Sequence, residues 1–434
     1  MKKKLLYAYI ISMPFTSAFC ISGQFTWPVI LGSLITLFLF VWVITGQKIV
    51  LSHSKPLKLV LLFLFNVCLS FFINDILIPP NAIVLGKTVN HLIAYLASFI
   101  NFYLSISLLL IINNAENIFP TILKIITWTL FISCVFAIVE FVSKNFFAFD
   151  FDHFIPHPNV ETIDALALGD LFRSVRARGF AEEPGHFAFM LNLFIPLSVY
   201  YLFFINENNV SKLSKILFII SFIIALIITF STAAFASLPV AIFITSIYYW
   251  RIWVQHISKI SLGLVILVLA VWLFNKYFPI ITQLALDIEG KVSNSGSVDD
   301  RSIRTNNFFA VFGKAPIWQK LIGYGPSGYL RAGLNADSDS FLVLYQTIIF
   351  ESGIIGLSLF GMFLWNVFQL LKNVAAPLNF FIFLSLVYGT IHYFFISNYW
   401  YPWYWFICAL VFIIQPPSLS KQKTVEKTCY TYYS

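Results

Sequence analysis

Stretches of about 17–25 predominantly apolar residues recur from one end of this 434-residue chain to the other, each long enough for a helix to cross a bilayer. In hydrocarbon every backbone polar group needs an internal partner, so such stretches fold as helices or as closed barrels. Here they are continuously apolar and do not alternate, which argues against a barrel. The expected fold is all-α: a polytopic integral membrane protein forming a single transmembrane domain over 1–434. The twelve candidate spans are 5–22, 27–45, 59–78, 91–112, 119–143, 187–205, 216–231, 236–250, 260–279, 341–371 (with a break expected near Gly353), 378–397 and 402–416. Only a few residues separate 216–231 from 236–250. Two long loops, 144–186 and 280–340, and a tail at 417–434 complete the chain.

Lysine and arginine orient the spans. With the Met-Lys-Lys-Lys start inside, Lys48, Lys55, Lys58, Lys124, Lys212, Lys215, Arg251, Lys259, Lys372, Lys421, Lys423 and Lys427 also fall inside, whereas the short outer loops carry only Lys87. That asymmetry obeys the positive-inside rule and, with an even number of spans, places both termini in the cytoplasm. The net charge of +8 mostly reflects these anchoring lysines and is no argument for nucleic acid. Ser17-Ala18-Phe19-Cys20 makes a poor cleavage site, so the first span is expected to be retained. The five cysteines form no disulfide or metal pattern, and no metal or other cofactor is implied. Without a Walker-type phosphate loop the chain is not expected to be an ATP-driven pump.

The chemistry lies in the two long outer loops. "RSVRARGFAEEPGHFA" (173–188) crowds charge into a chain with only 11% charged residues. Three arginines at mid-membrane would cost on the order of 8–10 kcal/mol, so Arg173, Arg176 and Arg178 belong at or beyond the interface. They are open to two readings: interfacial snorkelling with ion pairs to Glu182 and Glu183, or an anion cradle. The second is favoured by their outer position, by Gly179 beside them and by Pro184 at the start of the next helix, whose amides face outward. Arginine grips phosphate oxygens in a bidentate fork, so on the second reading a diphosphate fits such a cradle. Glu183 or His186 is then the candidate base for a sugar hydroxyl, although a carboxylate there also complements the helix dipole.

The second loop carries Arg301 and Arg304, the turn Gly323-Tyr324-Gly325-Pro326-Ser327-Gly328, Arg331, and Asp337 and Asp339. The turn is expected to bend the chain so that its arginines approach the first loop. The two aspartates either cap the next helix or bind sugar hydroxyls, and Tyr324 is a candidate for contact with sugar. Glu351, about ten residues into a span, is a functional candidate or the stabiliser of a kink at Gly353; Glu140 raises the same question.

"RARGFAEEPGHFAFML" resembles the R-x-x-G-x-x-x-[DE]-P-x-x-x-A segment of the O-antigen polymerase and ligase superfamily of bacterial membrane proteins, through Arg176 or Arg178, Gly179, Glu183, Pro184 and Ala188. "WQKLIGYGPSGYL" and the following "DSDSFLVLYQTIIFESGIIGLSLF" resemble that family's second-loop ending, through Gly323, Gly325, Asp337, Asp339, Glu351, Gly353, Gly356 and Leu357. "ITFSTAAFASL" (228–238) occupies the place of the family's Ser-Arg-Gly segment without its arginine. The resemblance implies a metal-independent glycosyltransferase of the bacterial inner membrane, working at the periplasmic face. Its substrates would be undecaprenyl-diphosphate-linked oligosaccharides of O-antigen or capsule, with a flippase and a chain-length regulator as pathway partners. Ligases of the superfamily usually place a histidine in the polar cluster after the G-x-G turn; 280–340 has none, which favours the polymerase over the ligase. A lipid-linked sugar flippase or anion transporter is the rival of another class; it predicts paired halves and midplane charges, and neither is evident.

Overall fold

The computed structural model describes residues 2–21, 25–46, 55–76, 82–113, 118–147, 149, 151, 155, 176–205, 210–250, 296–334, 341–374 and 376–412. Among these every regular element is helical, as expected. Helix α1 (Lys2–Ser12) ends early, because Pro14 supplies no N–H and disfavours helix in the residue before it. The span expected over 5–22 is thus a short helix followed by a turn. The Ser17 and Ala18 amides of that turn each donate to the Phe180 carbonyl at 3.2 Å.

Helix α2 (Trp27–Ile44) starts with Pro28 in its first turn. Helix α3 (Lys55–Phe71) widens into a π turn at Phe72–Ile76. Helix α4 (Ala82–Leu96) continues through a π stretch, Ala97–Leu104, into α5 (Ser105–Ile112). Helices α6 (Phe119–Phe146) and α7 (Pro184–Phe204) flank the first loop. The closely spaced pair is two helices, α8 (Lys212–Ile228) and α9 (Thr232–Tyr248), capped by the hydroxyls of Ser211 and Ser231. The second loop contains α10 (Gly296–Lys314), α11 (Ile317–Ile322) and α12 (Gly328–Arg331). Helix α13 (Leu344–Leu370) breaks at Gly353, and α14 (Leu378–His392) and α15 (Pro402–Leu410) follow. The expected span 260–279 and the tail 417–434 lie outside the described residues.

Among the described residues, six helical stretches are long and apolar enough to cross a membrane: Trp27–Ile44, Lys55–Ile76, Val84–Ile112, Phe119–Phe146, Pro184–Phe204 and Leu344–Leu370. Helices α9 and α14 are shorter and also apolar.

Helix α15 is the hub. Every residue from Pro402 to Val411 is buried, against α7, α14, α5 and the π stretch. Apolar residues gain nothing by leaving lipid for protein, so close packing and satisfied polar tips must hold such a helix. Gly389 of α14 supplies the closeness: a Cβ there would lie 2.2 Å from the Tyr404 ring. The tips are satisfied by Trp403 Nε1 donating to the Met13 carbonyl (2.8 Å) and by Tyr404 pairing with Thr390 (2.8 Å). Helix α13 lies along α3, and α6 along α7 and α8.

The helix ends sort into two sets. Lys2 sits 3.5 Å from the centre of the Trp42 ring at the far end of α2, and Lys215 lies 5.8 Å from that of Phe203 at the end of α7. At the opposite ends, the segments around 16–18, 70–74, 91–95, 176–186, 228–231, 323–328, 351–353 and 397–401 are linked by hydrogen bonds and ring stacking.

Candidate functional site

The first-loop segment is fastened by its backbone. Ala177 N donates to the Ile228 carbonyl (3.1 Å), and the Arg178 and Gly179 amides both donate to Glu140 Oε2, at 3.2 and 2.8 Å. The other oxygen of Glu140 takes Lys144 Nζ at 2.9 Å and lies 3.9 Å from Arg178 Nε. Glu140 is thus the anchor of this loop. Phe180 completes the anchor by stacking on Phe15 (4.6 Å) and Phe136 (4.3 Å).

The side chain of Arg178 is wholly buried beside Glu140. Arg176 is half-buried and donates from Nε to the Thr229 carbonyl at 2.8 Å. Burial lowers its guanidinium below the usual range, against the opposing pull of Glu183. Arg173 lies outside the described residues.

Glu182 and Glu183, neighbours in sequence, part company here. Glu183 takes the extended conformation (φ −134°, ψ 155°) at the start of α7 and is exposed, with no side-chain bond to the helix amides. Glu182 turns inward and accepts from the Tyr401 hydroxyl at 2.6 Å. That hydroxyl also lies 2.9 Å from His186 Nδ1, and Asn398 Nδ2 lies 2.9 Å from His186 Nε2.

One proton arrangement satisfies all three bonds. The Asn398 amide donates to Nε2, a protonated Nδ1 donates to the Tyr401 oxygen, and Tyr401 donates to Glu182. In it His186 is neutral and its basic lone pair is occupied. Burial, and then the charge of Glu182, push the Tyr401 phenol well above its ordinary value, so it stays a proton donor.

The second loop docks where α13 is broken. Gly353 has φ 70° and ψ −174°, and a Cβ on it would stand 2.1 Å from the Leu321 carbonyl oxygen. Opposite, Gly323 has φ 94°, and its Cβ would stand 2.3 Å from the Glu351 carbonyl oxygen. Only glycines allow the two backbones to meet so closely, which accounts for both in the motif. The freed carbonyls of α13 are answered by Tyr324 N to Phe350 (2.8 Å), Gly325 N and Ser70 Oγ to Glu351 (3.0 and 2.8 Å), and Asn66 Nδ2 to Ser352 (2.7 Å).

The Glu351 carboxylate accepts the Ser327 amide (2.8 Å) and the Tyr95 hydroxyl (2.7 Å), with His91 Nδ1 at 3.3 Å. Arg331 pairs with Asp75 Oδ1 at 2.9 Å. Tyr324 stacks on Phe350 at 4.5 Å. Arg304 is half-buried on α10, where Gln346 reaches Thr305 (3.5 Å) and Phe308 packs on Phe341 (5.4 Å). The side chain of Arg301, and Asp337 and Asp339, lie outside the described residues.

The link between the two loops is the connector before α15. Tyr399 stacks on Tyr95 (4.3 Å) and His91 (5.9 Å) on the second-loop side, while Tyr401 bonds Glu182 and His186 of the first. Beside this connector opens a cavity of about 1190 Å³. It is lined by Glu182, Trp400, Tyr401, Thr16 and Asn90 and by largely apolar residues of α2 and of α4 with its π stretch. Within that lining, Asn101 of the π stretch donates to Ser33 (2.9 Å) and accepts from Thr36 (2.7 Å). A π stretch often marks a functional site, because it re-aims side chains within a helix.

No protein-family model and no curated protein matches the chain. Its function is therefore argued from the site. Sequence reasoning passed over Tyr401, Asn398, Tyr95 and His91, and favoured Glu183 over Glu182. The available signal was "SNYWYPWYW" (397–405), where tyrosine and asparagine interrupt an otherwise apolar run.

Proposed function

We propose that this protein is a polysaccharide polymerase. It transfers a growing glycan from undecaprenyl diphosphate to the next lipid-linked repeat unit, at the periplasmic face of a bacterial inner membrane with both termini in the cytoplasm. The observation that supports this reading is a large cavity whose lining is mostly apolar and includes a carboxylate, Glu182. A lipid-linked sugar is amphipathic in the same sense: its tail suits the apolar part of the lining and its hydroxyls suit the polar part.

Glycosyl transfer from such a donor needs little acid catalysis, since diphosphate is already a good leaving group. It needs cations near the departing oxygens and a base near the acceptor hydroxyl. We assign the first task to Arg176, the first-loop arginine whose Nε is held by the Thr229 carbonyl at 2.8 Å. Arg178 serves as an internal prop beside Glu140, and Arg331 holds the second loop to Asp75.

Complementation tests the reading in a host lacking its own polymerase and supplied with this protein's repeat unit. A ladder of long surface glycans on expression supports a polymerase, whereas cells left with a single capping repeat argue against it. A ligase would instead restore glycan to a host whose lipid core carries none.

A further inference from the structure

We propose that Glu182, Trp400 and Tyr401 form an acceptor-sugar subsite in the cavity lining, in which Glu182 takes the proton of the attacking hydroxyl. The inference rests on the glycosyl-transfer reading above and assigns the acceptor half of its site.

Three features of this part of the lining carry it. Glu182 Oε2 is held by the Tyr401 hydroxyl at 2.6 Å, while Oε1 has no hydrogen bond among the described residues and the side chain lines the cavity. Trp400 lines the same cavity and is 40% exposed, within a segment whose other aromatic rings are buried. A pyranose presents a face of C–H bonds beside its hydroxyls, which suits an exposed indole next to a carboxylate. Behind them, the bonds from Asn398 to His186 and from His186 to Tyr401 fix the direction of the Tyr401 proton. His186 and Asn398 are therefore positioning residues.

The step balances. The acceptor O–H gives its proton to Glu182 Oε1, and its oxygen forms a bond to the donor's anomeric carbon. The bond from that carbon to the diphosphate oxygen breaks, and its electron pair leaves with the lipid diphosphate.

Purified full-length protein in lipid vesicles, given a synthetic diphosphate-linked repeat unit, supplies the test. Glu182→Gln should lower kcat by about 100-fold or more while leaving acceptor KM within about twofold, the scale of losing a general base. Trp400→Ala should instead raise acceptor KM about tenfold with kcat nearly unchanged, as expected for lost ring contact. Tyr401→Phe should lower kcat about tenfold, and Glu183→Gln should stay within about twofold of wild type. If Glu182→Gln does not fold, Glu182→Asp, which keeps the charge but draws it back, should still turn over about tenfold more slowly.

Wild-type protein that lengthens chains while Glu182→Gln does so equally well would overturn the subsite. So would loss on Glu183→Gln with Glu182→Gln unaffected. Wild-type protein that lengthens nothing would count against the polymerase reading itself.

Discussion

Glu140 Oε2 receives the backbone amide of Gly179 at 2.8 Å, so a carboxylate near the end of α6 holds a loop thirty-nine residues further along the chain. Lys144 and Arg178 crowd the same carboxylate. Glu140→Ala removes their shared anion from a buried site, a change that typically costs about 3–5 kcal/mol. Thermal unfolding in detergent should show the loss, and Glu140→Gln, which can still accept from an amide, should cost less. Equal stability of wild type and Glu140→Ala would exclude the anchoring role.

The meeting of Gly323 and Gly353 makes a prediction about shape alone. A Cβ on either would press into a backbone carbonyl from the other segment, and each has positive φ. Gly323→Ala and Gly353→Ala should each destabilise by at least about 1–3 kcal/mol. Gly361, on the same helix as Gly353 but with open space around its Cβ position, should gain about 0.5–1 kcal/mol as alanine. Unfolding midpoints of the three variants should rank accordingly.

Arg331 and Asp75 should behave as a coupled pair. Arg331→Ala leaves the buried Asp75 without its salt-bridge partner and should cost about 3–5 kcal/mol. Adding Asp75→Asn should recover about 1–3 kcal/mol of that loss. Additive effects in the double-mutant cycle would mean that the pair contributes no coupling.

Alkaline conditions should probe the connector. Burial pushes the phenols of Tyr399 and Tyr401 well above their ordinary value. A raised folded pKa adds stability that is fully present below the unfolded value of about 10 and is lost as pH rises beyond it. Unfolding temperature should therefore fall above about pH 10, and Tyr401→Phe should make that fall shallower. An unchanged slope would separate Tyr401 from the effect.

Much of the local architecture was legible because it rests on local chemistry. Pro184 starts α7 at the expected place, Ser211 and Ser231 cap two helices where two close apolar runs stand, and Gly353 breaks α13 as "ESG" within a span implied. Helix α15 was not legible as a hub, because an apolar aromatic helix reads alike whether it faces lipid or its neighbours. The choice between Glu182 and Glu183 turns on the extended backbone at Glu183, which sends adjacent side chains apart; composition carries no trace of that. Asn398 and Tyr401 reach His186 from more than two hundred residues away, a proximity that only the fold creates.

The central claim is that the protein joins repeat units on a lipid diphosphate. Its most direct test is the product profile of the purified protein in vesicles containing one diphosphate-linked repeat unit as both donor and acceptor. The account predicts a ladder of lengthened lipid-linked glycans, with one free lipid diphosphate released for each bond formed. Passage of the unit across the bilayer with no new glycosidic bond, or a single transfer with no ladder, would contradict it.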